Sequence, residues 1–489
     1  MSAAEIPARR LPVSSLNHLG PLLQTILAKD GWTLTPDFVA LKGLRRIAFF
    51  PHNPSPASAL RAIARKDAKT FRSVGVVIAP TNVAMDRLRR VAYADKFPRA
   101  FFASVEELRA LAAGQVPVES GRLDSQSFNA EILANTAVGG KEISHYRLAF
   151  RAPAVGAIFP PQFVMMDTKP QRAPLGMRTV HRGQRVAAVD WTPQPLLKRP
   201  FGVCRLFFPG WPTDYLRRLE LPATLALALY PPHPEHFDML YKVLPDGIGT
   251  PLMTKLRRGQ KVHMLGPLGR PYDVRRLRAE GVEEVHVIGG GVGTAPLIQL
   301  VESLRYYSFR VKVFVGIASV QSLRYRDELA ATFGEKSRDA YIYVDDFLIA
   351  GVKPADVFVA CDRELPKKVR GIPAENLFQG LVPEQYRRYL ASRQNAGKTV
   401  AFTCGPNRMM EVMADVCRQA AVPLKVLLEK RMGCGIGVCF SCVQRVQRPD
   451  GADDYARVCM EGPVFDAKDI LWNNNSKPNL EACCSPARC

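Results

Sequence analysis

Hydrophobic and polar positions follow two different rhythms along the chain. Between Leu44 and Gly114, apolar runs at Arg46–Phe50 and Val74–Ala79 have the length of buried strands. They alternate with Ser58–Ala68, Asn82–Ala94 and Val105–Ala113, where apolar residues recur at helical spacing. This predicts a small α/β layer over residues 1–122. From 123 to 278 the runs shorten and are broken by Pro and Gly, as at Ile158–Met166, Thr224–Leu229, Met239–Leu244 and Lys261–Leu265. That texture predicts a β-barrel or sandwich. Alternating α/β texture returns over 279–426, a Cys- and Gly-rich module occupies 427–471, and 472–489 reads as a flexible tail. The predicted fold class is multidomain, α/β and β, with no internal repeat of fixed period.

Composition agrees with several cores. At 489 residues the chain has room for about three domains, and 47% hydrophobic with 23% charged residues excludes a disordered chain. The formal charge of +22 is uneven, because residues 41–100 carry 13 Lys/Arg against three Asp. No recognition module accompanies those cations, so they read as a solvated face and no nucleic-acid partner is expected. No run of 18 apolar residues occurs, and Asn17, His18 and Gln24 interrupt the only candidate signal sequence. No membrane span is expected, and a cytoplasmic location follows. Reduced thiols there point to metal before disulfide.

Seven of the 11 cysteines lie from Cys434 onward. Cys434, Cys439 and Cys442 are spaced Cys-x4-Cys-x2-Cys, with Cys459 more distant, the plant-type arrangement for a 2Fe–2S cluster. Two irons need four thiolates, and Gly433, Gly435 and Gly437 suit a loop that wraps closely around them. Structural zinc is the alternative, although zinc loops usually pair two short knuckles. Cys204, Cys361 and Cys417 sit in apolar runs and read as buried hydrophobes. Cys483, Cys484 and Cys489 crowd the tail.

Two loops have the form that receives a pyrophosphate. Gly289, Gly290, Gly291, Gly293, Thr294 and Pro296 follow an apolar strand and open a helix over Leu297–Leu304. Cys404, Gly405 and Pro406 follow the strand Val400–Phe402 and open another helix. Arg199 begins a strand fixed by Pro200. It is either a phosphate fork or an ordinary surface arginine.

In this order the motifs, over about residues 125–470, resemble the electron-transfer subunit of bacterial NAD-linked dihydroorotate dehydrogenase, within the ferredoxin reductase superfamily. The matching strings are Arg199-Pro200-Phe201-Gly202, Leu240-Tyr241-Lys242, Gly249-Thr250, Leu265–Gly269, Gly289–Pro296, Cys404-Gly405-Pro406, Leu428–Met432 and Val458–Phe465. The resemblance implies a flavin-binding barrel, a nucleotide-binding α/β domain and a 2Fe–2S module. Arg199 would hold the FAD pyrophosphate, with Phe201 and Gly202 along the isoalloxazine. Leu240, Tyr241 and Lys242 would form the next FAD-contacting strand, and Gly249 with Thr250 would donate to FAD phosphate. The Gly289–Pro296 loop would receive NADH, Cys404 and Gly405 would face the nicotinamide, and Cys434, Cys439, Cys442 and Cys459 would ligate the cluster.

Three departures stand out. Gly202 replaces the family's usual serine, Phe347–Glu375 looks inserted, and the first 120 residues have no counterpart. The resemblance implies electron flow from NADH through FAD and the cluster to a flavoprotein partner, in a hetero-oligomer with a dihydroorotate dehydrogenase catalytic subunit. No side chain of this chain need act as a catalytic acid or base. The alternatives are a reductase subunit serving a ferredoxin or hydroxylase, and a non-catalytic regulatory module. NADH is expected over NADPH, because Asp345, or Asp362 in another alignment, supplies a carboxylate after a nucleotide-domain strand.

Overall fold

The computed structural model describes residues 17–472 except 52–55, 67–69, 92–98, 118–124, 139–144, 152–157, 170–176, 181–183, 188–196, 209–210, 245, 320–322, 328–337, 365–367 and 394–396. The tail cysteines fall outside the described residues.

The N-terminal layer is a five-stranded sheet. Thr33–Leu34, Val39–Lys42 and Arg45–Pro51 run antiparallel, and Arg45–Pro51, Ser73–Ala79 and Ala100–Ser104 run parallel. Every residue of Ser73–Ala79 is buried, as expected of a parallel strand covered on both faces. The helices Pro56–Lys66, Asn82–Val91 and Val105–Ala112 complete the layer. The last begins at Ser104, whose hydroxyl accepts from the Glu107 amide. Phe102 and Tyr230 exchange backbone hydrogen bonds of 2.7 and 2.8 Å, and Trp211 packs on Phe71 and Phe101. One apolar core therefore runs from this layer into the nucleotide-type domain.

The middle of the chain forms an antiparallel sheet of seven strands. Their order is Arg199–Gly202, Phe163–Met166, Lys261–Leu268, Gln126–Val138, His145–Arg151, His236–Lys242 and Arg205–Phe207. Inward residues at alternate positions, such as Ile132, Phe150, Met239 and Val262, make its core. The run Thr224–Leu229, which reads as strand-like, is instead the short helix Ala223–Ala226 and a following turn. Pro222 at its start cannot donate to a sheet, whereas a helix start needs no such donor.

The nucleotide-type sheet also has seven strands. Leu377–Gln379, Val357–Cys361, Arg310–Ile317, Glu284–Gly290, Thr399–Cys404 and Leu424–Leu427 are parallel, and Val464–Asp466 is antiparallel at the edge. The stretch Phe347–Glu375, which looks inserted, carries a core strand of the sheet: Val357–Cys361 is fully buried and pairs along Arg310–Ile317. The edge strand comes from the cysteine module, which otherwise consists of a long loop and the hairpin Val443–Gln447/Asp453–Arg457.

A buried charge cluster joins barrel to nucleotide-type sheet. Arg147 reaches Asp238 at 2.9 Å and Asp346 at 2.7 Å. Arg205 approaches Asp346 at 3.8 Å and Glu302, on the helix Ala295–Tyr306, at 3.4 Å.

Candidate functional site: a flavin-sized cavity beside a cysteine loop

Between barrel and parallel sheet lies a cavity of about 770 Å³, within the range of cofactor sites. The barrel contributes Arg199, Pro200, Phe201 and Gly202 from one strand and Leu240, Tyr241 and Lys242 from another. The Phe201 and Tyr241 rings meet edge to face at 6.4 Å. Gly249 and Thr250 line it beside Arg199, and Pro296 and Cys404 bring in the parallel-sheet domain, with Pro296 next to Gly202. The sequence-predicted flavin residues thus share one cavity. Arg199 donates to the Leu197 carbonyl at 2.7 Å, and among the described residues neither it nor Lys242 forms an ion pair with a carboxylate. Two uncompensated cations in a mostly apolar cleft suit a bound diphosphate.

Gly202 has a local explanation. A Cβ there would lie 3.1 Å from the Pro296 Cβ, so a serine would press on the proline packed directly against this strand.

The two glycine loops hold each other. A Cβ on Gly293 would lie 2.6 Å from the Gly405 Cα, one on Gly289 would lie 2.4 Å from the Thr294 Oγ1, and one on Gly290 would meet the Met409 sulfur at 2.4 Å. Pro406 starts the helix Asn407–Gln419 and sits 3.2 Å from that Gly290 position. Gly291 is different: it has φ +55° and open space around it. Thr294 Oγ1 is buried without a hydrogen-bond partner. Close-packed backbone and an orphaned hydroxyl at a strand–helix junction fit a dinucleotide.

Asp345 is corrected. It does not follow the second strand of the parallel sheet but lies in the short helix Val344–Ile349, where Arg370 pairs with it at 2.8 Å and it accepts from the Tyr341 amide. The chain leaves the second strand for the hairpin Arg324–Asp327/Arg338–Tyr341 before reaching this helix, so nearness in sequence does not carry Asp345 to the strand ends. Asp362 is there instead. It follows Val357–Cys361, and its amide bonds the Ile317 carbonyl at the end of the second strand.

Sequence reasoning missed Glu429 as a site residue. It lines the cavity, and its Oε1 lies 3.9 Å from the Cys404 sulfur. Glu429 is exposed at the surface, and protein packed near its carboxyl raises its pKa by desolvation. Burial, then the nearby carboxylate, pushes the Cys404 thiol well above its ordinary range. A single acid followed by Lys430 and Arg431 reads as one member of an ordinary charged run, so only its place in the string Leu428–Met432 marked it.

Leu428–Met432 leads from the cavity into the cysteine loop. All four cysteines are free thiols, Cys442 and Cys459 buried, Cys434 half-buried and Cys439 exposed. The Ile436 and Cys439 amides donate to the Cys434 sulfur at 3.4 Å. Among the described residues no three Cys, His, Asp or Glu side chains converge as a single ion requires. A two-iron cluster takes four thiolates, and the Cys-x4-Cys-x2-Cys spacing with the more distant Cys459 fits it better than the paired short knuckles of zinc. Gly435 and Gly437 have φ of +75° and +79°, and a Cβ at either would run into Met165 or Met460. The loop can wrap this tightly only with glycine.

An antiparallel flavin-sized barrel, a parallel sheet with paired glycine loops and a four-cysteine module define a ferredoxin-reductase-like electron-transfer protein. Residues 429–471 match the iron–sulfur cluster binding domain of dihydroorotate dehydrogenase B. Over 234 residues the chain is 30% identical to the electron transfer subunit of dihydroorotate dehydrogenase B (NAD(+)) from Desulforamulus reducens, covering 48% of this chain and 74% of that protein. The subunit of the same name from Geobacillus thermodenitrificans is 31% identical over 228 residues, covering 46% and 71%. The chain belongs to the family of electron transfer subunits of dihydroorotate dehydrogenase B.

Proposed function

We propose that this chain carries electrons from NADH, through FAD in the 770 Å³ cavity and a 2Fe–2S cluster on the four cysteines, to the flavoprotein catalytic subunit of a dihydroorotate dehydrogenase. The observation that carries the reading is the direct run of Leu428–Met432 from cavity wall to cysteine loop. Bound FAD supplies exchange between a two-electron hydride and single electrons.

The chain's own residues bind and orient. Arg199 anchors the diphosphate beside Gly249 and Thr250, while Phe201, Gly202, Leu240, Tyr241 and Lys242 shape the flavin wall. The loop Gly289–Pro296 and Cys404–Pro406 receive the dinucleotide. Cys404 stays a neutral thiol, and Glu429 holds a proton more readily than an ordinary carboxylate, so the pair can keep a proton at the cavity wall. The Asp362 carboxylate at the strand ends supports NADH over NADPH, since it repels a 2′-phosphate. Ile436, Val438 and Phe440 are 48%, 72% and 60% exposed around the cysteines. This apolar collar supports docking to a stable partner, hence a hetero-oligomer.

On this reading the domains divide at residues 122, 278, 426 and 471. The chain works in the cytoplasm, where its described cysteines, all free, stay reduced. No helix among the described residues is long and apolar enough to cross a membrane.

The test is to purify the chain anaerobically with its partner and assay NADH-dependent reduction of orotate. One FAD, one 2Fe–2S cluster and orotate reduction that is faster with NADH than with NADPH are expected. Zinc without sulfide, or a stable partner of another class with no orotate activity, refutes the proposal.

A further inference from the structure

A second cavity, of about 220 Å³, lies far from the flavin wall, at the seam between the N-terminal layer and the segment 218–221. Arg45, Arg46 and Arg72 come from the starts of two parallel strands, and Arg218 and Glu220 face them. Two of the arginines are compensated: Arg45 pairs with Glu220, and Arg218 pairs with Asp214 at 2.7 Å. Arg46 and Arg72 have no carboxylate partner among the described residues. Arg46 is half-buried and Arg72 exposed, so two guanidinium groups face one cavity with no counter-charge from a described carboxylate. That state is costly unless an anion occupies the cavity.

We propose that this seam is a binding site for a small phosphate monoester, with Arg46 and Arg72 gripping the dianionic phosphoryl group. Two guanidinium forks match the charge and the planar donor geometry of a phosphoryl group. The volume equals about seven waters, enough for a phosphoryl group on a short polar stem and too small for a dinucleotide. The wall aromatics offer no stacking face. Trp32 and Phe71 are 5% and 3% exposed, and the Phe71 ring is already covered by Arg99 and Trp211. A nucleobase therefore has nothing to stack on, which excludes nucleotides and leaves compact esters or free phosphate. The site does not depend on the redox reading, and none of its residues belongs to the flavin cavity.

The experiment is calorimetric titration of the FAD-loaded full chain with inorganic phosphate and, separately, with glycerol 3-phosphate. Sodium chloride of matched ionic strength is the blank. Saturable one-site binding is expected, weakened at least tenfold in R46Q/R72Q, with FAD content and NADH-driven flavin reduction unchanged. The charge-keeping variant R46K/R72K should lose part of the affinity, since lysine lacks the fork. Tighter binding of glycerol 3-phosphate supports an ester ligand, and equal binding supports free phosphate as the source of the same chemistry. No saturable heat with either probe, or undiminished affinity in both variants, overturns the proposal.

Discussion

Replacing Gly293 with alanine should impair dinucleotide binding while leaving the flavin in place. The new Cβ would sit 2.6 Å from the Gly405 Cα and 2.7 Å from its nitrogen. Both are backbone atoms, so no flexible side chain can swing aside. The two loops must part by about 1 Å to restore ordinary contact, and Gly293 stands just before Thr294, the N-cap of the helix Ala295–Tyr306. Overpacking of this kind costs about 1–3 kcal/mol. If that cost falls on the bound geometry, the apparent affinity for NADH drops roughly 5- to 150-fold, at about 1.4 kcal/mol per tenfold. The assay is rapid-mixing flavin reduction across an NADH series, with FAD occupancy and Tm measured alongside. G291A is the control, because its Cβ meets nothing within 4 Å and only the positive φ is penalised. An unchanged NADH dependence in G293A, or an equal loss in G291A, would refute the idea that contact between the loops sets the site.

Three further outcomes are expected. Cys439→Ser should abolish the iron–sulfur absorbance and keep most of the flavin, as the cavity does not include this residue; retention of a full cluster in the variant refutes its ligand role. Arg147→Met strands Asp238 and Asp346, both nearly inaccessible, and should cost about 3–5 kcal/mol in denaturant unfolding, with a change below 1 kcal/mol counting against the cluster as an interdomain clamp. Burial raises the Glu302 carboxyl from 4.5 to about 7, so between those values the folded chain holds a proton the unfolded chain lacks. Stability should fall as pH rises through that window, by up to about 1.4 kcal/mol per pH unit, and E302Q should flatten the profile.

The chemistry was more legible than the connections. Cysteine spacing and glycine loops are local requirements, written in consecutive residues, whereas Arg199 and Tyr241 were given flavin roles only by the family resemblance, and the structure brings both to one cavity. Asp345 was misplaced because a hairpin and a helix intervene between the second and third parallel strands, and nothing in local pattern measures such an excursion. For the same reason Val357–Cys361 was hidden inside an apparent insertion. The helix at Ala223–Ala226 was read as a strand because a short apolar run has no period long enough to separate the two. Glu429 shows the limit for sites, since its role comes from contact with Cys404, 25 residues away.

The strand Val464–Asp466 completes the edge of the nucleotide-type sheet through Lys425–Asp466, Val426–Phe465 and Leu427–Val464. It follows the last cluster cysteine, so the loop of thiolates is tied down at both ends to the scaffold that shapes the cavity. A tether of this kind rules out a swinging arm. The distance from cavity to cysteines is set when the chain folds, and nothing between the two has to move to bring them together.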